Sequence, residues 1–119
     1  MKKDNEPEFE YNARGAKVYH DPMRHKLLEI PNIHSRAEKG AVYEILSAGT
    51  FWKSKISSIP NVTINENGTP ILYRLPEWFL DWVNTCQFLS SQGTNPFPSY
   101  VEFGYVIPDK QYYAEMLNE

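Results

Sequence analysis

The sequence predicts a small single-domain α+β protein. Three observations lead there. Asn67-Gly68 sits between two short apolar-alternating runs, and that pair closes tight β-hairpins because both turn residues need positive φ. Val101, Phe103, Tyr105 and Ile107 alternate through residues 100–107, which is strand periodicity. Pro76 and Gly93 bracket an apolar stretch with helical spacing. Each breaker stands where a helix accepts it, proline in the first turn and glycine past the last.

The 119 residues suit one domain. Residues 1–12 read as a flexible acidic tail with only Phe9 and Tyr11 as apolar anchors, leaving 13–119 as the folded unit. Residues 16–31 read as extended chain with a turn at 20–23. The alternative there is a short helix capped by Asp21-Pro22, with Met23, Leu27 and Ile30 on one face.

Ser35-Arg36-Ala37-Glu38 matches a capping box. Ala37, Ala41, Ile45 and Ala48 then recur at helical spacing, and Gly49 supplies a stop. A helix is therefore expected near 36–48. Residues 50–60, with Trp52 and Ile56, fit either a helix continuation or a short strand.

The hairpin spans 61–74. Folding about Asn67-Gly68 sets Ile64 opposite Ile71 and Val62 opposite Tyr73, all on one face, with Thr63 and Asn65 on the other. Pro70 donates no amide, so an edge position or a bulge is expected there. Asn61-Val62-Thr63 and Asn67-Gly68-Thr69 match a glycosylation acceptor pattern, and the hairpin accounts for them better.

Helix 77–91 follows, with Glu77 and Asp81 near its positive end. Trp78, Trp82 and Leu89 form one stripe, and Phe79, Val83 and Cys86 the next. Leu80 and Phe88 fall outside both. So broad an apolar arc implies a central helix or one that also meets a partner. Asn95-Pro96-Phe97-Pro98 is a rigid link to strand 100–107. Pro108-Asp109 then opens an expected short C-terminal helix carrying Tyr112, Tyr113, Met116 and Leu117.

Composition narrows the function classes. No apolar run reaches the roughly 20 residues of a membrane helix, and MKKDNEPEFE lacks an apolar stretch behind its charges. With Cys86 as the single cysteine, a soluble protein of the reducing cytoplasm is expected. The net charge of −3 is uneven. Residues 14–55 carry eight Lys/Arg against four acids, and residues 56–119 carry two against seven.

His20, His25 and His34 lie close together, but spacings of five and nine match neither a helical i, i+4 pair nor a zinc finger. No metal or cofactor is expected. His20 with Asp21, or His25 with Glu29, would orient an imidazole for acid–base work, and a hydrolase built on His20, Asp21 and His25 is the third reading. Cys86 lies within an apolar stripe and reads as an inert thiol. Nucleotide-binding glycine loops are absent from the sequence, and no catalytic residue is assigned.

Two binding readings remain. Arg14, Lys17, Arg24, Lys26, Arg36 and Lys39, interleaved with Tyr19 and the histidines and extended by Trp52, Lys53 and Lys55, would suit a nucleic-acid-binding accessory factor. Asp21, Glu29, Glu38 and Glu44 interrupt that stretch. The leading reading is a non-catalytic protein-binding module, an inhibitor, adaptor or accessory factor. Its basis is three Trp, eight Tyr and six Phe, the residue types that dominate binding hot spots. The expected partner surface is Trp78, Phe88, Phe97, Tyr100 and Tyr112, on helix 77–91 and the segment 95–105. An edge strand at 69–74 or 100–107 would allow pairing with a partner or a second copy.

Overall fold

The computed structural model describes residues 8–54 and 57–117 and, of residues 52–54 and 57, the backbone alone. The described residues form strands β1 (Phe9–Tyr11), β2 (Lys17–Tyr19), β3 (Asn32–Ile33), β4 (Ala41–Ser54), β5 (Ser57–Glu66), β6 (Thr69–Arg74), β7 (Ser99–Val106) and β8 (Gln111–Leu117), and helix α1 (Leu80–Ser91). A 3-10 turn at Glu77–Phe79 leads into α1, so helical backbone covers 77–91 as expected. The fold is α+β.

The main sheet runs β8-β7-β4-β5-β6, antiparallel throughout. β3 joins β7 in parallel through Asn32↔Tyr105 and Ile33↔Val106. Because β8 occupies one edge of β7 along its length, β3 and β4 share the other. β7 is therefore interior, and the expectation of an edge at 100–107 is corrected.

The hairpin forms in the anticipated register, Ile64↔Ile71 and Val62↔Tyr73. Asn67 (φ 55°) and Gly68 (φ 89°) make its turn, and the Gly68 amide donates to Asn65 Oδ1 at 2.8 Å. Asn61 is buried within the sheet.

Two expected helices are strands. Residues 41–54 form β4, paired with β7 through Ala41–Ile45 and with β5 from Ile45 onward. Ile45 pairs with Ile64 but Ser47 with Thr63, so Leu46 is the extra residue of a bulge. The bulge returns Ala48, opposite Val62, to the face that Ile45 and Ala41 already occupy. It thereby mimics the three-residue step of a helix. Ser35–Glu38 is a turn in which Ala37 N–H donates to Ser35 Oγ and His34 N–H to Glu38. The two side chains thus accept from Ala37 and His34 rather than from the Glu38 and Ser35 amides of a capping box, and no helix follows. At the C-terminus, Lys110 takes φ 52° and Gln111–Leu117 returns along β7. The i, i+4 pairs Tyr112/Met116 and Tyr113/Leu117 share a face in a strand as well as in a helix.

Residues 8–12 are also structured. β1 pairs with β2 through Phe9↔Tyr19 and Tyr11↔Lys17, while residues 1–7 of the expected tail lie outside the described residues. The extended reading of 16–31 agrees with β2 and with a turn near 20–23, while the cap of the alternative is present on one 3-10 turn at Pro22–Arg24, where the Asp21 carboxylate accepts from Met23 N–H. Residues 50–54 and 57–60 are strand, and 55–56 lie outside the description.

α1 and the segment around Leu28 cover one sheet face. Phe79, Val83 and Cys86 turn inward with Ile45, Val62, Ile64, Leu75, Phe97, Val101 and Phe103 to form the main core. Phe79 meets Phe103 edge-on at 5.5 Å and Tyr112 at 5.2 Å. The β1–β2 hairpin lids the opposite face. Ala16, Phe51 and Leu72 form a second cluster there, and Asn12 Nδ2 donates to Thr63 Oγ1 at 2.9 Å. Thr63, on the non-core face of its hairpin, is thus 1% exposed.

Phe79→Ala opens a cavity at the centre of this core and is expected to lower stability by about 4 kcal/mol. Phe88→Ala, on the solvent side of the same helix, is expected to change it by less than about 0.5 kcal/mol. Urea denaturation of the two variants checks this, and equal losses would contradict the assigned inward face.

Candidate functional site

Helix α1 faces two ways because its apolar arc is wider than the sheet can cover. With Phe79, Val83 and Cys86 inward, Trp78, Phe88 and Leu89 are left at the surface, with 48%, 61% and 36% of their area exposed. Gly93 (φ 86°) ends the helix. Asn95 Oδ1 then accepts from Phe97 N–H at 3.0 Å and from the Ser90 hydroxyl at 3.1 Å, which directs Phe97 under Trp82, ring to ring at 6.2 Å.

The five residues expected on one partner surface occupy four places. Phe97 is buried in the core. Tyr112 is half-buried and packs on Trp78 at 6.1 Å and Tyr105 at 4.7 Å. Phe88 stands near the far end of α1 from Trp78. Tyr100 points to the sheet face opposite α1, since it alternates with Val101 and Phe103. The structure joins Trp78 with Tyr112 and leaves Phe88 and Tyr100 as separate exposed positions.

Beside Trp78 and Tyr112 lies a cavity of about 630 Å³. Its walls are Trp78, Asp81 and Trp82 on the helix side and Arg36 on the other, with Tyr112 to Ala114 of β8 between them. The sequence reading did not place Arg36, Trp82 or Ala114 together, because they meet only when residues 111–117 form a strand. The Tyr-Tyr-Ala-Glu-Met alternation of aromatic, small and charged residues was the available signal. Arg36 lies 3.8 Å above the Tyr113 ring and donates to Glu115 at 2.7 Å. Tyr113 covers Gly104, its cross-strand neighbour, and donates to Glu102 at 2.7 Å. Glu102 also accepts from Gly40 N–H at 2.9 Å, and these two donors hold its carboxyl below the ordinary value. Burial, then the Glu102 bond, pushes Tyr113 up to about 12.

A second cavity, about 540 Å³, lies between the segment Lys26–Glu29 and the tips of β4, β5 and β6. Tyr100 lines it with its ring exposed, and its other two tyrosines are already engaged. Tyr73 donates to Glu66 at 2.6 Å, a bond that raises its pKa to about 12, and Tyr43 donates to Glu29 C=O at 2.7 Å.

The histidines do not converge. His20 and His34 are exposed, and His34 lies 3.7 Å from Glu38. His25 is buried and clips the lid to the sheet. Its Nε2 accepts from Tyr19 N–H at 3.0 Å, and its Nδ1 donates to Leu72 C=O at 3.2 Å. The ring stacks on Phe51 at 5.2 Å, and Arg74 Nε donates to the His25 carbonyl at 2.8 Å. With one nitrogen accepting and one donating, the imidazole is neutral. Burial lowers its pKa below 6.5, opposed by the Leu72 bond and aided by the charges of Arg74 and Arg24. Cys86 is buried, and burial pushes its thiol up to about 11. No group of three metal-ligating side chains occurs among the described residues.

The basic residues are dispersed. Lys17 lies over the Phe9 ring at 4.7 Å, and Arg24 lies over Tyr19 at 4.4 Å while pairing with Glu8. Arg14 stands in the β1–β2 turn and Lys26 beside β6. Arg36 and Lys39 stand across the sheet, beside β7 and β8. Lys55 lies outside the described residues, as do the side chains of Trp52 and Lys53.

His25 makes stability depend on pH in a defined direction. The unfolded imidazole binds a proton near its ordinary value, and the folded one only at lower pH. Its contribution is therefore complete above about pH 6.5 and is lost progressively as the pH falls from there through the folded value. His25→Phe strands the Tyr19 amide and the Leu72 carbonyl. It is expected to lower stability by about 2 kcal/mol at neutral pH and to flatten the acid loss. Denaturation midpoints of both proteins across the acid range check this, and parallel profiles would refute the role. No family model, curated protein or solved structure matches this chain.

Proposed function

We propose that this chain is a small non-catalytic protein-binding module, acting as an inhibitor, adaptor or accessory factor of another protein. The observation that supports it is Phe88. It is a phenylalanine 61% exposed near the end of α1, next to exposed Leu89, with nothing among the described residues covering it. An aromatic anchor held on a rigid helix loses little freedom on binding, and such anchors dominate interface energetics. Trp78 adds a second exposed aromatic on the same helix. The chemistry-bearing groups have structural occupations instead: His25 spends both ring nitrogens on the lid, and Cys86 is a protonated core thiol.

The test uses the tagged chain as bait in a lysate of its own host, with and without nuclease. One stoichiometric protein that survives nuclease, and is lost with Phe88→Ala, is the expected result. The purified pair should then weaken by about 2 kcal/mol on that substitution, with folding stability unchanged. Recovery that disappears with nuclease would overturn the reading in favour of nucleic-acid binding through Arg14, Lys17, Arg24, Lys26, Arg36 and Lys39. A partner retained in full by Phe88→Ala would remove this surface.

A further inference from the structure

The main sheet has two outer edges, and the chain treats them differently. The β6 edge is closed. Leu28 N–H donates to Arg74 C=O and Arg74 N–H to Lys26 C=O, each at 2.8 Å. The Leu72 carbonyl takes the His25 ring, and Pro70 has no amide to offer. The β8 edge is open, because β8 pairs with β7 alone among the described residues. Natural edge strands are blunted by lysine, proline or a bulge. Gln111–Leu117 contains neither Lys nor Pro, and its register with β7 is unbroken over seven pairs, from Val106↔Gln111 to Tyr100↔Leu117. The first half of this edge, Gln111 to Ala114, lines the 630 Å³ groove between Trp78, Asp81 and Trp82 on one side and Arg36 on the other.

We propose that β8 pairs antiparallel with β8 of a second copy of this chain, about a two-fold axis at Ala114, giving one continuous sheet across a dimer. The side chains of β8 are complementary to themselves in this register. Ala114 meets Ala114, the smallest side chain of the strand at the point of closest approach. Tyr112 meets Met116 on the helix face, an aromatic–thioether contact. On the other face Tyr113 meets Glu115. Directly opposed side chains in a sheet sit about 5 Å apart at Cβ. The Arg36 guanidinium, already over the Tyr113 ring, is therefore brought beside the second copy's Glu115 as well as its own. The contact occurs twice, once on each side of the axis. An isologous interface needs this reciprocity, and the sequence Tyr-Tyr-Ala-Glu-Met provides it. Trp78 lines the groove but Phe88 lies outside it, so this pairing leaves the Phe88 end of the partner surface free.

Sedimentation velocity of the full chain over a concentration series, with hydrogen exchange of the β8 amides in the same samples, tests the pairing. The expected result is a species of two chains whose β8 amides become protected as concentration rises. Glu115→Arg sets like charges beside Arg36 on both sides of the axis and is expected to weaken the dimer at least about tenfold. Arg36→Glu should do the same. Mixing the two variants should restore it, because both cross-axis contacts again join opposite charges. Circular dichroism of each variant confirms the fold, and if either is unfolded, Gln111→Lys on the outer strand replaces it. A chain that stays monomeric at every concentration overturns the proposal. So does a dimer whose β8 amides exchange as fast as in the monomer, or one indifferent to Glu115→Arg.

Discussion

β7 is the strand on which the rest of the structure depends, because both its edges and both its faces are used. β8 takes one edge, and β4 and β3 divide the other. Alternation does the rest. Val101 and Phe103 are turned to α1 and fully buried, and Phe103 receives Phe79 and Trp82 at 5.5 and 5.7 Å. Glu102 and Gly104 face the other way. At Gly104 a Cβ would lie 2.5 Å from the Tyr113 ring, so any other residue would displace that ring. Gly40 is constrained in the same way by the Phe103 carbonyl, 2.2 Å from where its Cβ would be. The turn from β3 to β4 therefore presses directly on β7. Glu102 holds it there by accepting from the Gly40 amide and the Tyr113 hydroxyl, and Arg36 completes the stack.

Elements whose signal is local were legible in the sequence. Asn67-Gly68 defined a hairpin to the residue, and Pro76 and Gly93 bounded the helix. β4 and β8 were not legible, for a reason that concerns periodicity. A step of four residues returns to the same face in both a strand and a helix, so Tyr112/Met116 and Ala41/Ile45 carry no discrimination. Only the three-residue step distinguishes them, and the bulge at Leu46 supplied a false one between Ile45 and Ala48. From Tyr43 to Phe51 β4 is also at least partly buried on both faces, which suppresses the apolar–polar alternation of a half-buried strand.

The site was less legible than the fold, because its contacts are distant in sequence. His25 reaches Leu72 across 47 residues, and Arg36 reaches Glu115 across 79. Composition counted the aromatics correctly but did not divide them between core and surface. The structure makes that division through α1, whose arc exceeds what one sheet face can cover. Phe97 went to the core because Asn95 turns the chain inward after Gly93, and Tyr100 went to the other face by simple alternation along β7.

The charge asymmetry of the chain also takes on a structural meaning. Basic residues between 14 and 39 and acidic residues after 56 look like two separated surfaces in the linear sequence. In the fold, the β3–β4 turn carries Arg36 onto the acidic C-terminal hairpin, where Glu102 and Glu115 stand on one face of β7 and β8. The basic segment is thereby partly spent on an internal contact, which weakens its claim to a phosphate backbone. It also leaves β8 with a cation–aromatic–carboxylate array on an open edge. An edge strand with one exposed carboxylate resists indiscriminate pairing, because a neighbouring strand must supply a positive charge at a matching position. In the proposed dimer the second copy brings its own Arg36, held over Tyr113, to that position. The same residues that fasten the β3–β4 turn within one chain can thus select which strand the open edge accepts.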